Sequence, residues 1–87
     1  MSTVERFIEL HRRAAARFDA SGSYADYRTA ADAIALLATV ATTSADVAAI
    51  AAYVVTLLPR VPDGWKTTFF ATVARCAGED RAAGFLH

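Results

Sequence analysis

The side chains in this sequence that could do chemistry are few and far apart. There are two histidines, His11 and His87, and one cysteine, Cys76. Holding a metal takes several such ligands at short spacing, and no second His or Cys lies within a helical turn of His11. Catalytic and metal-bound histidines also come with co-ligands and an orienting acceptor. His11 instead falls at the centre of an apolar stripe, so it reads as a neutral imidazole bonded to one carbonyl or hydroxyl in the core. Cys76 shares a helical face with Trp65, Phe69 and Val73. Near a helix C-terminus, where the dipole disfavours a thiolate, it reads as a core residue and not a reactive one.

The carboxylates make no catalytic pair. Glu5 and Glu9 lie one turn apart, but arginines flank both, and Glu9 can pair with Arg13 at i+4 for about 0.3–0.5 kcal/mol on an exposed face. No glycine-rich phosphate loop, HExxH, GxSxG or EF-hand spacing is present. The sequence thus predicts a chain that is not an enzyme and uses neither metal nor cofactor.

One charged feature could bind a partner. Arg6, Arg13 and Arg17, with Arg12 beside them, form a stripe that could meet an acidic protein surface, arginine being enriched at interfaces. A phosphate backbone would suit the stripe too, but nine basic and nine acidic residues give a net charge of zero, which removes the bulk attraction to nucleic acid or anionic membrane. A helix-turn-helix reading around Thr42–Ser44 fails as well. The would-be recognition helix, Asp46 to Tyr53, has no Arg, Lys, Asn or Gln to read a base edge. No specific DNA readout is expected.

The elements that must carry these residues are helical. Ser2-Thr3-Val4-Glu5 is a capping box. After it Val4, Phe7, Ile8, His11, Ala14, Ala15 and Phe18 recur with helical period, and Ser21-Gly22-Ser23 ends the helix near Ala20. Ser23, with Asp26 in its first turn, starts a second helix whose main apolar face is Tyr27, Ala30, Ala31, Ile34, Leu37, Ala38 and Ala41. Leu36 and Val40 lie elsewhere on it, so it should be central or covered by another chain. Thr43 or Ser44 caps a third helix with the stripe Val47, Ile50, Val54, Leu57 and Leu58, which Pro59 and Pro62 stop. Asp63 is positioned to cap a fourth, with Trp65, Phe69, Thr72, Val73 and Cys76 on one face and Gly78 as its end. The run from Thr67 to Val73 is rich enough in β-branched and aromatic residues to suit a strand, but a lone strand would have no partner. The fold class predicted is all-α: one domain over residues 1–87, a small bundle of three to four helices, with room for a short fifth at the C-terminus.

The span from Ala33 to Pro59 contains one charge, Asp46, but the polar run Thr42–Asp46 divides it into pieces too short to cross a bilayer. Glu5, Arg6 and Glu9 interrupt any N-terminal signal-like run. No membrane association and a cytoplasmic location are therefore expected. Twenty-one alanines, eight arginines against one lysine, and no Asn or Gln suggest a GC-rich bacterial or phage genome.

Apolar residues exceed what the core stripes need. Leu10, Leu36, Val40, Val55, Phe70, Phe85 and Leu86 lie off the stripes or in the tail. Scattered exposed apolar residues are ordinary, whereas a contiguous patch marks an interaction site. The expected function is a non-catalytic protein–protein interaction module, such as a small cytoplasmic inhibitor or adaptor of the phage anti-defence or immunity type. Its contacts with another protein chain would come from Arg6, Arg13, Arg17, Phe70, Phe85 and Leu86. One alternative is a self-associating helical homodimer. Another is a carrier of a small apolar ligand, held between Ala-lined helices with His11 or Tyr27 as the polar contact.

Overall fold

The computed structural model describes the backbone of residues 2–57 and 60–85, and side chains among these up to Gly78. Four helices follow in order: α1 (Thr3–Ser21), α2 (Tyr24–Leu37), α3 (Ser44–Val55) and α4 (Trp65–Phe85). Most of the described residues are helical, and there is no strand among them. The segment from Thr67 to Val73 lies wholly inside α4, where its apolar residues find a core without needing a second strand.

Local sequence accounts for most of the boundaries. Ser2 Oγ accepts the Glu5 N–H at 3.1 Å, capping α1. At the other end Gly22 adopts φ +69° and its N–H bonds the Phe18 carbonyl at 2.7 Å, a left-handed cap that suits glycine. Ser23 takes the cap position of α2 without a side-chain bond; Ser21 Oγ serves instead, accepting the Ser23 N–H at 3.2 Å. For α3, Thr43 Oγ1 accepts the Asp46 N–H at 3.1 Å. The Asp46 carboxylate reaches back to the Thr42 N–H at 3.0 Å and its hydroxyl at 3.2 Å. These bonds, the Thr42 N–H foremost, hold the Asp46 carboxyl below its ordinary pKa.

Two expected boundaries differ. Gly64, at φ +82°, directly precedes α4, and its carbonyl accepts the Thr68 N–H at 3.2 Å; the cap position falls to Gly64 and not to Asp63. At the far end α4 does not stop at Gly78 but runs on to Phe85, so the last segment extends α4 and is not a fifth helix. Glycine costs a helix about 1 kcal/mol relative to alanine, and the good helix formers that follow outweigh it.

The core gathers Val4 of α1; Ile34 and Leu37 of α2, with Ala38 and Ala41 just after it; Ile50 and Val54 of α3; and Trp65, Phe69 and Cys76 of α4. Trp65, Phe69, Thr72 and Cys76 repeat at helical spacing, so one face of α4 is buried. That face does more than pack. The end of α2 tightens, with the Ala38 N–H bonding Ala35 O instead of Ile34 O. Trp65 Nε1 donates to the Ile34 carbonyl so released, at 2.6 Å. Thr72 Oγ1 donates to Ala38 O at 2.6 Å, Arg75 Nη2 to Ala41 O at 2.6 Å, and Cys76 Sγ lies 3.5 Å from the same Ala41 oxygen. Helix C-termini leave carbonyls unsatisfied; here α4 supplies the donors. Cys76 lies within α4 and not at its end, and it is buried.

Phe18 and Tyr27, expected in the core, lie at its edge with substantial exposure, while Ala33 takes a core place in α2. No helix among the described residues is long and apolar enough to cross a membrane.

Candidate functional site

At one end of the α1–α2 pair three aromatic rings form a ladder. Phe18 and Tyr27 have centroids 5.6 Å apart and Tyr27 and Tyr24 are 6.1 Å apart. Tyr24 and Tyr27 are three residues apart on α2, hence neighbours on one face. Tyr24 is 70% and Tyr27 52% exposed. Turning them outward frees the small residues beneath to line a cleft of about 410 Å³. Its floor is His11, Ala15, Ala30, Ala31 and Ile34, and Leu57 and Pro62 close another side. The alanines are what make room: each removes the bulk that a larger apolar residue would place there.

His11 is buried, and its Nδ1 lies 2.5 Å from the Tyr53 hydroxyl, the two rings meeting edge to face. The sequence predicted a buried imidazole with one hydroxyl or carbonyl partner; the hydroxyl comes from α3. Burial lowers the His11 pKa below its ordinary value of 6.5 and raises that of Tyr53 above 10.0. Both are neutral at pH 7. The pair can form with the Tyr53 O–H donating to Nδ1, which puts the imidazole proton on Nε2, or with Nδ1–H donating to the hydroxyl oxygen. At the mouth Arg60 Nη1 lies 3.8 Å from Asp19 Oδ2, so the charges there cancel.

The arginine stripe is exposed as expected, with internal pairing. Glu9 accepts from both Arg12 and Arg13 at 2.9 Å. Arg17 Nε reaches the Arg13 carbonyl at 3.5 Å. Neither Arg6 nor Arg17 has a carboxylate within 4.0 Å among the described residues. Leu10, 40% exposed, lies between Arg6 and Arg13 on the same helical face. Phe70 is 66% exposed on the side of α4 away from the core, and Val55 and Leu36 are also exposed, whereas Val40 packs against the core. The Phe85 side chain and all of Leu86 lie outside what the structure describes.

A second cleft, about 540 Å³, lies where the starts of α1 and α3 converge, lined by Ser2, Thr3, Val4, Val40, Thr42, Thr43 and Asp46. Helix N-termini attract anions, but Asp46 already supplies the negative charge there. Among the described residues no group of three or more His, Cys, Asp or Glu could hold a metal ion.

Sequence reading missed the aromatic ladder because Phe18 and Tyr27 sit at core-compatible periodic positions. The available signal was chemical: tyrosines at the start of a helix, beside a Gly-containing turn, have a polar tip that favours a half-wet position. No family model, curated protein or solved structure matches this chain. Its class therefore rests on its own features: a four-helix, all-α chain with a small aromatic-rimmed cleft.

Proposed function

We propose that this chain is a non-catalytic interaction module that works by occupying the surface of another protein. The observation that carries this reading is the exposed aromatic ladder of Phe18, Tyr27 and Tyr24. Tyrosine is enriched at the energetic centres of interfaces, because it offers a large rigid surface at low entropic cost and a polar tip. Phe70 and the stripe of Arg6, Arg13 and Arg17 are further contact candidates, as are Phe85 and Leu86. An inhibitor or adaptor role in a bacterial or phage cytoplasm fits a small neutral binder.

Affinity capture from the native host tests the reading. The wild-type chain should retain a protein in near-stoichiometric amount, and a folded Tyr24→Asp variant should lose it. Sedimentation equilibrium of the chain alone separates this from self-association: a hetero-partner module stays monomeric at tens of micromolar. A dimer dissociated by Phe70→Asp would support the homodimer instead.

A further inference from the structure

We propose that the cleft beneath the aromatic ladder binds a small, uncharged, largely apolar molecule through one oxygen acceptor, which takes a hydrogen bond from His11 Nε2–H. Three features select this ligand class. The volume, about 410 Å³, lies within the range of ~300–1,000 Å³ usual for small-molecule sites. The walls are aromatic or aliphatic at Phe18, Tyr27, Ile34 and Leu57, which suits a flat hydrocarbon body. The polar chemistry is sparse and electrically neutral. Arg60 and Asp19 cancel at the mouth, so a charged ligand would lose hydration without a surplus counter-charge to replace it. Tyr53 engages His11 Nδ1 from outside the cleft lining; with the Tyr53 hydroxyl as the donor, the second ring nitrogen carries the proton and is the donor for the ligand. An aryl or alkyl ketone, ester or phenol satisfies all three.

The cleft shares Phe18 and Tyr27 with the surface proposed to meet a partner protein, but its test needs no partner chain. The test uses the purified protein and two probes of matched shape, 2-acetylnaphthalene and 2-ethylnaphthalene, which differ in the carbonyl oxygen. Titrated into ¹⁵N-labelled protein, the ketone should shift the amides of Ala15, Ala30, Ala31 and Leu57 saturably. It should bind at least about fivefold tighter than the hydrocarbon, the usual worth of one hydrogen bond. The His11 Nε2 resonance should move with the ketone and not with the hydrocarbon. Ala31→Leu fills the cleft and should weaken the ketone at least about tenfold, whereas Tyr24→Asp, outside the lining, should change it less than about twofold. Three results would overturn the proposal: no saturable shift at the cleft amides, equal affinity for both probes with an unmoved His11 resonance, or undiminished binding to folded Ala31→Leu. Should Ala31→Leu fail to fold, the His11 resonance of the wild-type chain decides the matter alone.

Discussion

His11 and Thr72 show what a buried polar group costs and contributes here. The Thr72 hydroxyl donates to the Ala38 carbonyl at 2.6 Å inside the core. Thr72→Val keeps the shape and removes the donor, leaving that carbonyl unpaired, so urea denaturation should show a loss of roughly 1–3 kcal/mol. His11 gives the fold a pH dependence. Its folded pKa lies below 6.5, so the native state binds the proton less readily than the unfolded chain. The stabilisation is complete above about 6.5 and is lost as pH falls through the lower folded value. The urea midpoint should therefore fall between pH 7.5 and 5.5, and His11→Gln should flatten that fall. Asp46 acts in a separate window: its carboxyl is held below 3.8, so its contribution is present at neutral pH and disappears only in stronger acid. The location of His11 was legible in the sequence, from its place at the centre of a 3.6-residue stripe. Its partner was not, since Tyr53 lies 42 positions along the chain and periodicity carries no information about which helices meet.

At the scale of elements, caps and punctuation explain the successes and the errors alike. Ser2, Thr43 and Gly22 are short-range signals, complete within four residues, and each does in the structure what its type implies. Gly78 misled because glycine marks a helix end only when the backbone turns left-handed there. Gly22 does so, and Gly78 is not among the positive-φ glycines. A Cβ at Gly78 would meet nothing within 4 Å. Gly78→Ala should therefore stabilise the outer part of α4 by roughly 0.5–1 kcal/mol, seen as more helical ellipticity and slower amide exchange beyond Cys76. A destabilised variant would show that the position needs glycine's freedom. The donors that α4 sends to the end of α2, from Trp65, Thr72 and Arg75, were invisible in advance. They answer the Ile34 carbonyl, left vacant by one tightened turn, and the Ala38 and Ala41 carbonyls beyond the end of α2, a detail below the resolution of any sequence pattern.

The described residues extend over 52 × 28 × 18 Å. The thinnest dimension is less than two helix diameters of about 10–12 Å. The radius of gyration, 14.4 Å, exceeds the roughly 12 Å of a compact domain of this length. A layer this thin cannot surround any helix, which is why an apolar α2 keeps Leu36 at 47% exposure and α4 keeps Phe70 outside. The surplus of apolar residues was evident from the sequence. Which of them would face outward was evident only in part, because that depends on where the layer ends: Leu10, Leu36, Val55 and Phe70 face out, while Val40 packs inward.

That outward surface is the centre of the functional account, and the most direct measurement is quantitative affinity capture with matched variants. Wild-type chain, Tyr24→Asp, Phe70→Asp and a triple reversal of Arg6, Arg13 and Arg17 to Glu would be presented to native lysate, each first shown to keep its helical ellipticity. The account predicts one protein bound near stoichiometrically by the wild type and reduced at least about tenfold by Tyr24→Asp, the loss expected of an interfacial aromatic. If the arginine stripe takes part, the triple reversal should also lower capture, most strongly at low salt. Equal capture by wild type and Tyr24→Asp, or no stoichiometric protein on either, would contradict the account.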